Sequence, residues 1–161
     1  MEPFTVRTTI SQKEYTGIVM RKTFKNFFVI LVTVSGIFMV VMSAIALIRG
    51  MKTESASTPV MQLGLGIFFS LLPVFTRLGA VRTYRSTPKL QQENEYTFTN
   101  EGIVIKGNTK DSTAAWSTIV KREELGNFIL LFFNKTHAEI IRKDILTKEQ
   151  LYFIRMKVPA R

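Results

Sequence analysis

The stretch Phe27–Ile48, FFVILVTVSGIFMVVMSAIALI, decides how the rest of the chain is read. It has 22 residues and no charge. As a helix it would be about 33 Å long at about 1.5 Å per residue, enough to cross a hydrocarbon core about 30 Å thick. The alternative is a buried core helix, but a run this long, continuous and apolar on every face favours a span. A second apolar stretch, Val60–Phe75 (VMQLGLGIFFSLLPVF), follows a short polar segment. Alone it makes only about 24 Å of helix. Extended to Val81 it matches the first in length but takes in Arg77. Near the end of a span, the long stem of Arg77 can lift its guanidinium to the headgroups.

The two stretches predict a transmembrane helical hairpin, with spans at 27–48 and 60–81 and an external loop at 49–59. Pro59 suits the first turn of the second helix, where its missing N–H is no loss. Pro73 removes a backbone bond to the carbonyl of Phe69, which predicts a kink. Gly36, Val40, Ser43 and Leu47 share one helical face, and Gly36 and Ser43 would let another helix approach closely. Gly66 and Ser70 form a small-xxx-small pair in the second span.

Charge flanks these stretches. Residues 1–26 hold five Lys/Arg, Arg77 to Lys89 holds four, and the loop holds two, Arg49 and Lys52. That bias predicts an inner-membrane protein with both termini in the cytoplasm. Arg21, Lys22, Lys25, Arg77, Arg82 and Arg85 would form a basic collar at the membrane interface, read first as a topology signal and second as attraction to anionic lipid. The net charge of +10 is spread as +3, +4 and +3 over residues 1–26, 27–85 and 86–161, so no segment argues for nucleic acid. There is no cysteine, which removes disulfides, thiolate nucleophiles and Cys-based metal sites. A cleavable leader is not expected, because alternating and charged residues precede the first span.

Before the first span, Phe4–Ile10 alternates as a half-buried strand. Ser11 and Glu14 fit a capping box that opens a helix from Gln12 to Asn26. Residues 86–161 read as a small antiparallel β domain. Glu95–Thr99 and Ile103–Lys106 flank Asn100-Glu101-Gly102, a hairpin loop with Gly102 in the left-handed conformation. Residues 107–112 form a loop and Thr113–Trp116 a short strand. Ile119–Leu125 and Phe128–Phe133 flank the tight turn Gly126-Asn127. Phe128–Phe133 is continuously apolar, so both of its faces should be covered. His137–Ile141 follows the Asn134-Lys135-Thr136 turn. Thr147 and Gln150 make a second capping box, and Leu151, Ile154 and Val158 mark an amphipathic closing helix. These strands should form one partly open sheet covered by that helix, with Phe4–Ile10 able to join as an edge strand. The fold class is therefore an α+β membrane protein.

The segments YTFTNEGIVIKG (Tyr96–Gly107), AAWSTIVKREELGNFILLFF (Ala114–Phe133) and IIRKDILTKEQLYFIRMKV (Ile140–Val158) resemble the YcxB-like family of bacterial membrane proteins. Trp-Ser-x-Ile-Val before a turn and an apolar strand is also similar to bacterial pleckstrin-homology-like domains. The resemblance implies a cytoplasmic domain of that fold. It carries over no functional residues.

Catalytic groupings are sparse. His137 is the single histidine, and the nearby Glu139 shares its face of a strand. Two residues make a poor metal site or general base, and a strand-end histidine is the plainer reading. The run Lys121-Arg122-Glu123-Glu124 reads as a solvated surface. Trp116 reads as a core anchor. Gly64-Leu65-Gly66 lacks the third glycine of a dinucleotide fingerprint. The Asn134-Lys135-Thr136 sequon should be inert in a cytoplasmic turn. No cofactor or metal is expected.

The expected function is non-catalytic: a two-pass membrane protein whose cytoplasmic domain binds a protein or lipid partner through strand edges or the sheet rim. An immunity protein against a membrane-acting toxin would use the span faces at Gly36/Ser43 or Gly66/Ser70. A channel or transporter subunit would need further copies of the chain, a homo-oligomer, and a polar lining that the spans do not supply. The implied partners are membrane lipids and an unidentified protein, not nucleic acid.

Overall fold

A computed structural model describes residues 2–50, 57–107, 111–134 and 137–158. The chain divides into two compact units, one of Met1–Ile18 and Tyr84–Arg161, the other of Val19–Thr83. The architecture is α+β, with six helices and two antiparallel sheets among the described residues.

The first unit opens with strand β1 (Phe4–Thr8), followed by helix α1 (Gln12–Phe24). The capping box forms: the Ser11 backbone N–H donates to Glu14 Oε2 at 2.9 Å, and the Glu14 N–H donates to Ser11 Oγ at 3.3 Å. Later come the short helix α5 (Pro88–Gln91) and strands β2 (Asn94–Phe98), β3 (Gly102–Lys106) and β4 (Ser112–Ala115). Strands β5 (Lys121–Leu125), β6 (Phe128–Phe132) and β7 (Ala138–Arg142) lead to helix α6 (Lys148–Lys157). Thr147 caps α6 through a capping box completed by Gln150.

The strands make two sheets, β1-β2-β3-β4 and β5-β6-β7, rather than one. A single 3-10 turn at Trp116–Thr118 separates β4 from β5 and sends the chain into the second sheet. Here Trp116 starts the turn instead of ending the strand. β1 joins the first sheet at its edge, with Val6 opposite Tyr96. The main core lies between the sheets: Val6, Tyr96, Phe98, Ile103 and Ile105 from one meet Ile129, Leu131 and Ile141 from the other, and Ile154 of α6 and Val158 just after it complete it. Thus α6 closes a two-sheet core instead of covering an open sheet.

β6 is buried along its whole length. Its second face, with Phe128, Leu130 and Phe132, packs with Leu125, Ile140, Ile10, Ile18 and Tyr15. Helix α1 thus covers the second sheet through Tyr15 and Ile18. The turn into β6 uses Gly126 at φ 58°, the positive value a two-residue II′ turn needs at its first position. Gly102 behaves otherwise. Among the described residues only Gly50 and Gly126 have positive φ, so Gly102 is not left-handed. A Cβ there would run into the Ala114 carbonyl and lie 2.8 Å from Ala115 Cα. Close approach of β4 is what demands glycine. The turn itself is closed by Thr99 Oγ1, which accepts from the Glu101 and Gly102 N–H groups.

The second unit holds helix α2 (Phe27–Ile48), whose first turn is capped by Asn26 Oδ1 accepting from the Phe28 N–H at 3.0 Å. α1 stops at Phe24, two residues short of the expected end, because Asn26 takes up this capping role. Helix α3 (Ser57–Ser70) and helix α4 (Leu72–Ser86) replace the single second span. They meet at Leu71 with a bend of 41°, next to the backbone bond that Pro73 cannot make. Among the described residues one helix, α2, is long and apolar enough to cross a membrane; α3 and α4 pass the same test only together, as a bent pair. Residues 51–56 of the expected loop, with Lys52, lie outside the described residues. So do 108–110 of the expected 107–112 loop, and Lys135 and Thr136 of the sequon.

Candidate functional site

In the second unit, Gly36 and Gly66 face each other where α2 and α3 pack. A Cβ on Gly36 would lie 2.7 Å from Phe69 Cβ and 2.8 Å from the Ser70 backbone nitrogen. A Cβ on Gly66 would lie 2.9 Å from the Gly36 carbonyl oxygen and from Val40 Cγ2. Residue 36 meets 66–70 while 40 meets 66, so the helices run antiparallel. Ser43, one further turn pair along that face, is 1 % exposed. Its hydroxyl has no hydrogen-bond partner among the described residues. The Ser70 hydroxyl turns back to the Ile67 carbonyl at 2.9 Å. The small-residue faces are therefore filled by the chain's own helices, and an outside helix would have to displace one of them.

The outer surface of α2 is the opposite. Phe27, Phe28, Leu31, Val34, Ile37, Phe38, Val41 and Ile48 are all exposed, and only 11 % of its most apolar window is buried. All six collar residues, Arg21, Lys22, Lys25, Arg77, Arg82 and Arg85, are exposed. Arg85 belongs to the other unit, where its Nε donates to Gln12 Oε1 at 3.4 Å.

In the first unit, the polar cluster with the deepest burial surrounds Glu139 on β7, which is 6 % exposed. Tyr96 of β2 donates its hydroxyl to Glu139 Oε2 at 2.8 Å and so ties the first sheet to the second. Lys89 of α5 pairs with Oε1, and His137 Nε2 lies 3.3 Å from the same oxygen. Burial, then the neighbouring carboxylate, push the Tyr96 hydroxyl far above its usual range. It stays protonated and acts as a fixed donor, which makes it a poor proton shuttle. His137 and Glu139 do come together as their strand spacing implies, but His137 is half exposed and the carboxylate is already engaged on both oxygens. Tyr96 and Lys89 carried no signal of this in the sequence; one reads as a strand tyrosine and the other as a flanking charge.

A second cluster centres on Glu124 of β5. Arg155 of α6 grips it with two hydrogen bonds, at 2.9 and 2.8 Å, and Lys143 donates at 3.2 Å. These partners hold the Glu124 carboxyl down to about 2, its bond to Arg155 being the largest cause. Arg122 Nε lies 3.6 Å from Glu124 Oε1. Arg122 is 8 % exposed, and its Nε and Nη1 have no hydrogen-bond partner among the described residues. The run 121–124 is thus not a solvated surface. Strand alternation turns Arg122 and Glu124 to the side of Leu131 and Ile129, under α6. It turns Lys121 the other way, with its amine 4.5 Å from the centre of the Phe132 ring.

Trp116 is partly buried against the main core. It stacks with Phe98, meets Phe153 edge-on, and donates from Nε1 to the Thr99 carbonyl at 2.9 Å. Among the described residues no three His, Asp or Glu side chains converge to hold a metal ion. Both ionic clusters join elements of the fold to one another: sheet to sheet, and α6 to β5.

Part of the first unit has a known likeness. A family model described as YcxB-like protein matches residues 98–156, from the end of β2 to the last turn of α6. Neither the curated proteins nor the solved structures give a match.

Proposed function

We propose that this is a two-pass inner-membrane protein, with α2 as one span and the bent α3–α4 pair as the other. The exposed apolar surface of α2 carries that reading, since nothing but lipid or another apolar partner suits it. The seven strands in two sheets with a closing helix support a pleckstrin-homology-like fold for the other unit, which acts as a binding module and does no catalysis. The charge bias supports an orientation with both termini in the cytoplasm. The filled Gly36 and Gly66 faces speak against the immunity and channel readings, both of which need those faces or a polar path.

Topology is tested with reporter fusions at Ser55 and after Arg161, which should report opposite sides of the membrane. If both report the same side, the two-pass reading fails. The binding role is tested by purification from native membranes of the full chain and of a chimera. In the chimera an unrelated two-helix hairpin replaces residues 19–83, so that β1 is kept. A partner that follows both locates binding in the two-sheet unit. A partner that follows only the full chain locates it in the membrane and overturns the binding-module reading.

A further inference from the structure

The outer face of α6 carries an open apolar hollow lined by Lys148, Glu149, Tyr152, Phe153, Met156 and Lys157. Tyr152 and Met156 are 65 % and 67 % exposed, on the side of α6 away from the buried Ile154, where an amphipathic helix ordinarily carries charged or polar side chains. Phe153 forms the floor and is held from below by edge-on contacts to Phe4 and Trp116. Lys157 reaches across it, its amine 5.5 Å from the ring centre and donating to the Asn100 carbonyl at 3.2 Å. The rim thus has two cations, Lys148 and Lys157, against one acid, Glu149.

We infer that this face of α6 lies on the anionic surface of a lipid bilayer. The inference rests on the membrane reading above. Three features select that occupant. The rim is net positive, which suits acidic lipid headgroups. Tyrosine and methionine beside lysine are the side chains of an interfacial helix: apolar bodies sink to the acyl boundary while lysine stems reach up to the phosphates. The same chain carries its own span, so the bilayer is present at high effective concentration and a small patch suffices. A second copy of the chain fits less well. Twofold antiparallel pairing of α6 about Tyr152 and Phe153 would set Lys148 of one copy against Lys157 of the other.

The test uses the full chain in vesicles. The chain has no cysteine, so one introduced thiol is the sole labelling site. Met156→Cys carries an environment-sensitive fluorophore. The hosts are vesicles of phosphatidylcholine alone and of an equimolar mixture with phosphatidylglycerol. In the mixture the emission should shift to the blue and be quenched by lipid brominated on its acyl chains. It should stay water-like in phosphatidylcholine, and revert in about 1 M salt, where the screening length falls to about 3 Å. Adding Lys148→Glu should abolish the shift while emission from Trp116, the sole tryptophan, reports an intact fold. Phe38→Cys, on the exposed surface of α2, is the reference. If its label is quenched in both vesicles while the Met156 label stays in water, docking of α6 is overturned and the membrane reading stands. If the Phe38 label is not quenched, the membrane reading itself fails. A Met156 signal that follows protein-to-lipid ratio and ignores lipid charge identifies a second copy as the occupant and overturns the inference.

Discussion

The hydroxyl of Tyr96 and the carboxylate of Glu139 meet at 2.8 Å between two sheets that share no backbone ladder. Both residues are almost fully buried. A buried carboxylate that loses a donor keeps its desolvation penalty, so Tyr96→Phe should destabilise the unit by about 1–3 kcal/mol. Glu139→Gln keeps an acceptor for Tyr96 but releases Lys89. The double variant should be less damaged than the sum of the two singles, because the pair shares one interaction. Denaturant titration followed by Trp116 fluorescence measures all three. Strict additivity would show that the contact couples nothing.

The Gly36–Gly66 crossing makes a sharper steric prediction. Gly36→Ala puts a methyl 2.7 Å from Phe69 Cβ and 2.8 Å from the Ser70 backbone, where neither neighbour is the free end of a flexible side chain. The helices must move apart, at a cost of about 1–3 kcal/mol for overpacking. Gly64→Ala is the control, since nothing lies within 4 Å of a Cβ there. It should leave helix pairing unchanged. Reversible unfolding in bicelles compares the two variants. Equal effects would mean that general helix propensity, and not contact at the crossing, sets the result.

These two sites mark the limits of what the sequence discloses. Phe27–Ile48 was legible to the residue, because an uncharged run bounded by Asn26 and Arg49 leaves no competing boundary. The capping boxes at Ser11 and Thr147 were legible because each is a local exchange of hydrogen bonds. The continuous apolar run of β6 announced two covered faces, but not that α1 supplies one cover, since that contact joins residues more than a hundred positions apart. The split into two sheets was hidden for a similar reason. Alternation gives strands, and only the 3-10 turn at Trp116 decides which strands pair. Gly102 was recognised as necessary but for the wrong cause: its role is set by Ala114 on a neighbouring strand and not by its own turn. The charged clusters were least visible. A buried ion network and a solvated charge run have the same composition, and strand register alone separates them.

Arg122 gives a prediction that runs against its charge. It is buried, yet two of its nitrogens lack acceptors among the described residues, and Glu124 is already taken by Arg155 and Lys143. A buried ion with imperfect pairing recovers little of its desolvation cost. Arg122→Met fills similar volume without a charge. It should leave stability unchanged or raise it by about 1–2 kcal/mol. Arg155→Met removes the bidentate partner of Glu124 and should lower it. Thermal melts read through Trp116 should therefore fall for Arg155→Met and not for Arg122→Met. A clear loss in Arg122→Met would mean that its guanidinium is well served.

Glu124 also sets an acid limit on the first unit. Its carboxyl is held down to about 2 from an ordinary 4.5 by Arg155 and Lys143. A carboxyl with a lowered folded-state value stabilises the fold above its unfolded value and loses that contribution as protons bind. The stabilisation is complete above about pH 5 and disappears between about pH 4.5 and 2. Glu124 is partly exposed, so solvent screening reduces the effect to about 1 kcal/mol. Glu124→Gln should melt lower than the parent at neutral pH and approach it near pH 2. Asp144, lowered by Arg142, and Glu14, lowered chiefly by Ser11, shift in the same direction and are present in both proteins, so they do not create the gap. Melting curves from pH 7 down to pH 2 give the test. If the gap between parent and variant stays constant through that window, Glu124 contributes nothing through its charge.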